Sequence, residues 1–258
     1  MRLLFIADVV GTPGRRAIET RLSSLRDELD VDFCCVNGEN VADGIGITPK
    51  LADKLLSWGA DAITLGNHTW RRSEILPYLT GSDRVVRPAN LGSHAAGKGL
   101  AVVPARDGTP VAVLNFLGSL FLDPPISLWE IVDELIEEAQ RRAKVILVDM
   151  HAEATSEKVA LSRWLDGKVT AVIGTHTHIQ TNDARVLPGG TAALSDAGMT
   201  GPHDSVIGVQ ADLAIKRMRT GLPVRFETAA GDVRIEGALV ECGPDGRATS
   251  CETVRVPV

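Results

Sequence analysis

At 258 residues with 44% apolar content the chain can bury one large core, and nothing in its length compels a second domain, so residues 1–258 are read as one domain. A formal charge of −6 argues against a protein that coats nucleic acid through phosphate contacts, which needs a basic face, while a small anionic substrate stays compatible. No apolar stretch reaches the ~18 residues of a membrane span and no cleavage pattern follows the first apolar residues, so the expected location is the cytoplasm.

In chain order, residues 3–7 predict a strand, and Thr12-Pro13 reads as an N-cap and N1 pair opening a helix through about Glu28. A strand at 33–36 follows, then Thr48-Pro49 repeats the helix signal before a strand at 62–65. Residues 100–103 and 111–115 are strands joined by a turn at 106–110. Ser127 with Glu130 fits a capping box ahead of Ile131, Leu135 and Ile136, leading into a strand at 145–148. Ser156 is the expected cap of a helix through Trp164, before a strand at 171–173. Residues 224–227, 233–236 and 253–256 are further strands, the first two linked by a turn at 229–232.

The runs at 3–7, 33–36, 62–65, 145–148 and 171–173 are continuously apolar and rich in β-branched residues, as strands buried on both faces are. Strand and helix alternation predicts right-handed crossovers and parallel pairing. The helix-free strands at 100–115 and 224–256 predict a second, partly antiparallel sheet. The expected fold is α/β, a two-sheet α/β/β/α sandwich. Four cysteines lack metal-binding spacing and are read as free thiols, with Cys34 and Cys35 on opposite faces of their strand.

Polar words end these runs: Asp8, Asn37-Gly38-Glu39-Asn40, Gly66-Asn67-His68, His151 and Gly174-Thr175-His176-Thr177-His178. Ligands collect at the carboxyl ends of strands in such sheets. Oxygen and imidazole donors without thiolate suit manganese, iron or zinc, and ions ~3.5–4 Å apart share a bridging carboxylate. Glu39 is the candidate bridge, with His151, His176 and Asn67 on one ion and Asp8 and His178 on the other. A water between them would ionise near neutral pH and attack phosphorus. His176 and His178 are read as sharing one face of an extended segment. Asn37 is read as a turn former, His94 and His203 as structural, and Arg71 and Arg72 as solvated charges on a helix. Glu153 and Glu157 are either partners behind His151 or ordinary helix-start acids.

These words resemble those of the calcineurin-like metallophosphoesterases, and over essentially the whole chain their form resembles the YmdB-like branch of bacterial cyclic-nucleotide phosphodiesterases. The most branch-specific pieces are Ile6-Ala7-Asp8-Val9-Val10-Gly11-Thr12-Pro13-Gly14-Arg15, Asn37-Gly38-Glu39-Asn40 and Asp149-Met150-His151-Ala152-Glu153 with its continuation to Lys158. The segments at 174–181 and 196–202 strengthen the likeness. Three departures from the wider superfamily stand out: its Asp-x-His opening is Asp8-Val9-Val10, its bridging Asp is Glu39, and the acid after Gly-Asn-His is Thr69.

The resemblance implies that Asn40 replaces the lost imidazole ligand. It implies that His68 protonates the leaving oxygen rather than binding metal, a role that suits an imidazole. The implied metal ligands are therefore Asp8, Glu39, Asn40, Asn67, His151, His176 and His178. They hold two divalent ions per chain, iron or manganese in preference to zinc or magnesium. The implied substrates are small 2′,3′-cyclic nucleotides, opened to monoesters. The alternatives are a broad phosphomonoesterase and a nucleotide- or protein-binding regulator that keeps the metal site. Neither an extended nucleic-acid surface nor a membrane partner is expected, and a homo-oligomer is left open.

Overall fold

In the computed structural model, which describes residues 1–258, the apolar runs pair into two sheets. The first grows from β1 (Arg2–Ile6), beside which β3 (Phe33–Asn37), β4 (Ala62–Thr64) and β5 (Val85–Val86) add in parallel. On its other side β1 meets the long β13 (Gly231–Cys242), to which β14 (Ala248–Pro257) and β12 (Met199–Asp204) also pair, all antiparallel. At the far edge β12 pairs in parallel with β2 (Asp8–Val9). The second sheet runs β10 (Arg185–Val186), β11 (Ala192–Leu194), β9 (Ala171–Thr175), β8 (Val145–His151), β7 (Pro110–Leu117) and β6 (Leu100–Pro104). Its middle four strands are parallel and its two edges antiparallel.

Period-two alternation sorts the side chains into layers. Leu3, Phe5, Phe33 and Cys35 turn inward to meet Val111, Val113, Leu147 and Ile173, forming the core between the sheets. Leu4, Ile6, Cys34 and Val36 turn outward under α1 (Gly11–Glu28), α2 (Pro49–Ser57) and α3 (Ile75–Gly81). Leu114, Phe116, Ile146 and Val148 pack against α4 (Leu128–Arg142) and α5 (Thr155–Trp164). The result is the α/β/β/α sandwich. No helix is long and apolar enough to cross a membrane.

Several local expectations change. Helix α1 starts at Gly11, with Val10 rather than Thr12 at its cap and no side-chain cap bond. The amides of Val10 and Gly11 instead donate to the Thr200 and Asn40 carbonyls at 2.9 and 3.0 Å, so neighbouring segments start the helix. Thr48 does cap α2, accepting from the Leu51 amide at 3.3 Å, whereas Ser127 stands at the cap of α4 without a side-chain bond. Helix α5 begins at Thr155 behind Ala154, which puts Ser156 inside it.

Residues 224–227 form no strand, and 229–232 therefore close no hairpin. This segment is largely exposed and follows a helix absent from the sequence reading, α6 (Ala211–Thr220), which buries only Ala214 and so shows no apolar stripe. The strands expected at 233–236 and 253–256 join the first sheet, not the second. All four cysteines are free and buried.

Candidate metal centre

The parallel strands β3, β4, β8 and β9, together with β1, end at one edge of the sandwich, and the polar words converge there. Asp8, Glu39, Asn40 and His151 are all buried, Asp8 and His151 completely. Glu39 lies at the centre. Its Oε1 is 3.3 Å from His151 Nε2, and His151 Nε2 is in turn 2.9 Å from Asn67 Oδ1 and 3.1 Å from His176 Nδ1. On the other side Asn40 Nδ2 lies 3.1 Å from Glu39 Oε1, 3.4 Å from Asp8 Oδ1 and 3.1 Å from His178 Nε2. Ligand atoms of Glu39, His151 and His176 all lie within 4.8 Å of one another.

The far nitrogens of the imidazoles decide what the near ones can do. Thr175 Oγ1 donates to Asp149 Oδ1 at 2.6 Å, so it accepts the Nδ1 proton of His151 at 2.8 Å. His178 Nδ1 donates to the Ile207 carbonyl at 2.9 Å, and His176 Nε2 donates to Glu153 Oε2 at 3.1 Å. All three rings therefore commit an outward N–H and turn the other nitrogen into the site.

Around His151 Nε2 this leaves imidazole, amide and carboxylate acceptors facing one another, an arrangement that requires a positive charge among them. A proton is one such charge: burial disfavours it, but the surrounding carboxylates, Glu39 foremost with Asp8 and Asp149, together overcome burial and hold the pKa of His151 up at about 9. Burial and then the charge of His151 push His176 down to about 3. Asp8 is raised by burial, with His178 pulling the other way, and neither Asp8 nor Glu39 pairs with a lysine or arginine. Buried carboxylates without a cationic side chain, amide oxygen and inward imidazoles suit a divalent cation. Gly66 keeps the space open, since a Cβ there would collide with Glu39 Oε2 and His151 Nε2.

His68 stands at the rim. Its amide donates to Glu39 Oε2 at 3.0 Å, and its Nδ1 lies 2.7 Å from Asn40 Oδ1 and 3.1 Å from Glu39 Oε1. In place of the acid that Thr69 lacks, Asn40 and Glu39 orient this ring. Asn40 as placed turns its amide nitrogen toward the carboxylates and its oxygen toward His68.

Other readings change with the geometry. His176 and His178 do not share the face of an extended segment: their φ values are +99° and +64°, and both lie beyond the end of β9. Asp196 holds that left-handed loop by accepting from the Thr177 amide and hydroxyl at 3.1 and 2.8 Å. Behind it Asp196 pairs with buried Lys158 at 2.7 Å. Asn37 is the turn former it was read to be, its Oδ1 accepting from the Glu39 amide at 3.2 Å, and as the buried end of β3 it also donates Nδ2 to Asp149 Oδ2 across the inter-sheet space at 2.9 Å.

Arg72 lies outside any helix and donates to the Ala42 and Ile45 carbonyls, bracing the loop after Asn40. His203 is structural, 3.2 Å from Glu236. Sequence reading gave Asp149, Thr175 and Asp196 no role. Their only signal was adjacency to His151, His176 and the 196–202 segment, because hydroxyl and carboxylate partners behind a ligand have no spacing of their own.

A model of the YmdB-like protein family matches residues 4–254. A 2′,3′-cyclic-nucleotide 2′-phosphodiesterase of Bacillus subtilis is 46% identical over 241 residues, 93% of this chain and 91% of that protein. The crystal structure of a hypothetical protein from Thermus thermophilus aligns with a TM-score of 0.93 at 38% identity, covering 100% of this chain and 99% of that one. The crystal structure of a novel phosphatase from Mycoplasma pneumoniae aligns with a TM-score of 0.91 at 32% identity, covering 100% of this chain and 93% of that one.

Proposed function

The chain belongs to the YmdB-like protein family, and from that premise we propose that it is a metal-dependent phosphodiesterase that hydrolyses small 2′,3′-cyclic nucleotides, with His68 as proton donor. In this reading residues 1–258 act as one metallophosphoesterase domain. The observation that carries it is the inward set of acceptors around Glu39 with an imidazole on its rim. Asn67, His151, His176 and Glu39 would hold one divalent ion, and Asp8, His178 and Glu39 a second, iron or manganese, which Asn40 would join only through Oδ1, the atom that faces His68 here. When bound, such ions supply Lewis acidity to phosphoryl oxygens and lower the pKa of water toward ~7.

The chain's own residues do the rest. Glu39 contributes the shared negative charge, and Asp8 and Glu39 together balance cationic charge where burial excludes water. His68 engages Asn40 Oδ1 through Nδ1, so the proton it would deliver is the one on Nε2, and its side chain is 23% exposed at the rim of the site. Asn40 and Glu39 accept the Nδ1 proton and hold the ring in place while Nε2 donates.

Metal analysis of protein purified without added metal, together with rates on 2′,3′-cyclic AMP and on a simple aryl phosphate, tests the reading. Two ions per chain and preference for the cyclic diester are expected. Preference for the monoester favours a phosphomonoesterase, and bound metal without turnover favours a regulator.

A further inference from the structure

A polar floor here has an apolar rim. Ile45, Trp70, Leu120, Phe121 and Ile179 all lie on loops that leave the carboxyl ends of strands at the site, and all are exposed. Phe121 is the extreme case, at 83% the most exposed large apolar side chain of the chain. Its φ is +68°, a region that bulky residues rarely adopt. A phenyl ring left in water contributes little burial to the fold, so folding alone does not explain why the backbone is held there.

The loop is fastened at its base rather than left loose. Leu117 stands opposite His151 in the β7–β8 register, and the Gly118 amide donates to the His151 carbonyl at 3.0 Å. Glu157 Oε1 accepts from the Ser119 amide at 2.7 Å, and Glu157 Oε2 from the Leu120 amide at 3.3 Å. The Asp123 amide closes the turn onto the Ser119 carbonyl at 3.3 Å. Gly118 has no room for a side chain, its Cβ position lying 2.6 Å from both Ala152 Cβ and Glu157 Oε2. Three peptide units at most, about 11 Å, separate the Phe121 Cα from the residue bonded to His151. Asn90 fixes the end of the strand as well, exchanging two 2.9 Å bonds with the Leu117 backbone.

We propose that Phe121 is a nucleobase-binding residue, its ring giving the base a face to stack on while the cyclic phosphate sits over Glu39 and His68. The inference rests on the phosphodiesterase reading above and adds to it which part of the chain recognises the base. Stacking tolerates any base but scales with its area, so purine should exceed pyrimidine, and both should exceed a substrate with no base.

The test compares 2′,3′-cyclic AMP with the 2′,3′-cyclic phosphate of methyl riboside, which lacks a base, on full-length manganese-loaded protein. Wild type should favour the adenosine substrate on the order of tenfold, through KM. Phe121→Ala should bring the ratio close to one, Phe121→Trp should keep it, and Phe226→Ala, an exposed aromatic elsewhere, should leave it unchanged. A calorimetric titration with 3′-AMP against ribose 3-phosphate should show the same loss in Phe121→Ala without any turnover. If wild type shows no preference for the base by either readout, or Phe121→Ala retains it, the base-stacking role is wrong while phosphodiesterase activity stands. If wild type cleaves neither cyclic phosphate, the activity reading falls, and the calorimetric comparison alone decides the role of Phe121.

Discussion

One hydroxyl fixes the tautomer of His151: Thr175 Oγ1 gives its proton to Asp149 and so takes one from Nδ1. Thr175→Val keeps the shape and removes the relay, and should weaken metal affinity ~10–100-fold, the usual cost of losing such a partner. Metal titration beside circular dichroism checks it, and wild-type affinity would show that the relay is idle. His68→Ala should retain metal and lose about 10²–10⁴ in kcat on a cyclic nucleotide. The loss should shrink with a nitrophenyl diester, whose leaving oxygen needs little protonation. Equal losses on both substrates, or a lost ion, would place His68 among the ligands. Of these residues Glu39, His151 and His68 were legible in the sequence because each ends an apolar run. The turn role of Asn37 was legible because Asn beside Gly is a common turn signal, but its bond to Asp149 across the sheets was not.

At the scale of elements, two serine- and threonine-led helices differ in a way sequence does not reveal. Thr48 makes its cap bond and Ser127 does not, so Thr48→Ala should cost about 1 kcal/mol and Ser127→Ala close to nothing. Urea melts of the two variants distinguish them, and equal losses would contradict the difference in capping. The central strands were legible because continuous apolar runs are a strong local signal, as were their carboxyl ends. Helix α6 and the missing strand at 224–227 were not. An exposed helix that buries only Ala214 carries no stripe, and a short alternation of apolar and charged residues such as Val224-Arg225-Phe226-Glu227 needs a partner strand that this one lacks. The left-handed loop at His176 and His178 is equally non-local, being held by Asp196 from beyond β11.

Across the whole molecule, the site joins the two sheets. Asp8, Glu39, Asn40 and Asn67 follow strands of the first, and His151, His176 and His178 come from the second. A cation bound by both sets would fasten one sheet to the other, so manganese at about 100 times its Kd should add about 2.7 kcal/mol of stability. Thermal unfolding with manganese or with chelator measures this, and Glu39→Gln should abolish most of the difference. An unchanged Tm in wild type would mean that no cation spans the sheets.

The buried thiols set an alkaline limit. Burial pushes Cys34 up to about 12 and Cys251 up to about 11, above the ~8.5 of an unfolded thiol. Between those values the folded chain binds more protons than the unfolded one, so this contribution to stability is complete below pH ~8.5 and declines as pH rises toward 11–12. Native protein at pH 8 should resist thiol reagents, and all four cysteines should react once unfolded. Rapid labelling of the native protein would contradict that burial.

By itself the sequence determined the layered α/β character, the central strands and the chemical identity of the polar residues that end them, because apolar periodicity and residue type are local properties. Tertiary structure decided which sheet β13 and β14 join, how His176 and His178 turn back on themselves, and that Thr175, Asp149, Glu153 and the Ile207 carbonyl aim three imidazoles inward. Those outcomes depend on hydrogen bonds between residues far apart in the chain, such as Thr175 with Asp149 and His178 with Ile207. No local pattern encodes the direction of a ring whose far nitrogen is held by a distant strand or loop.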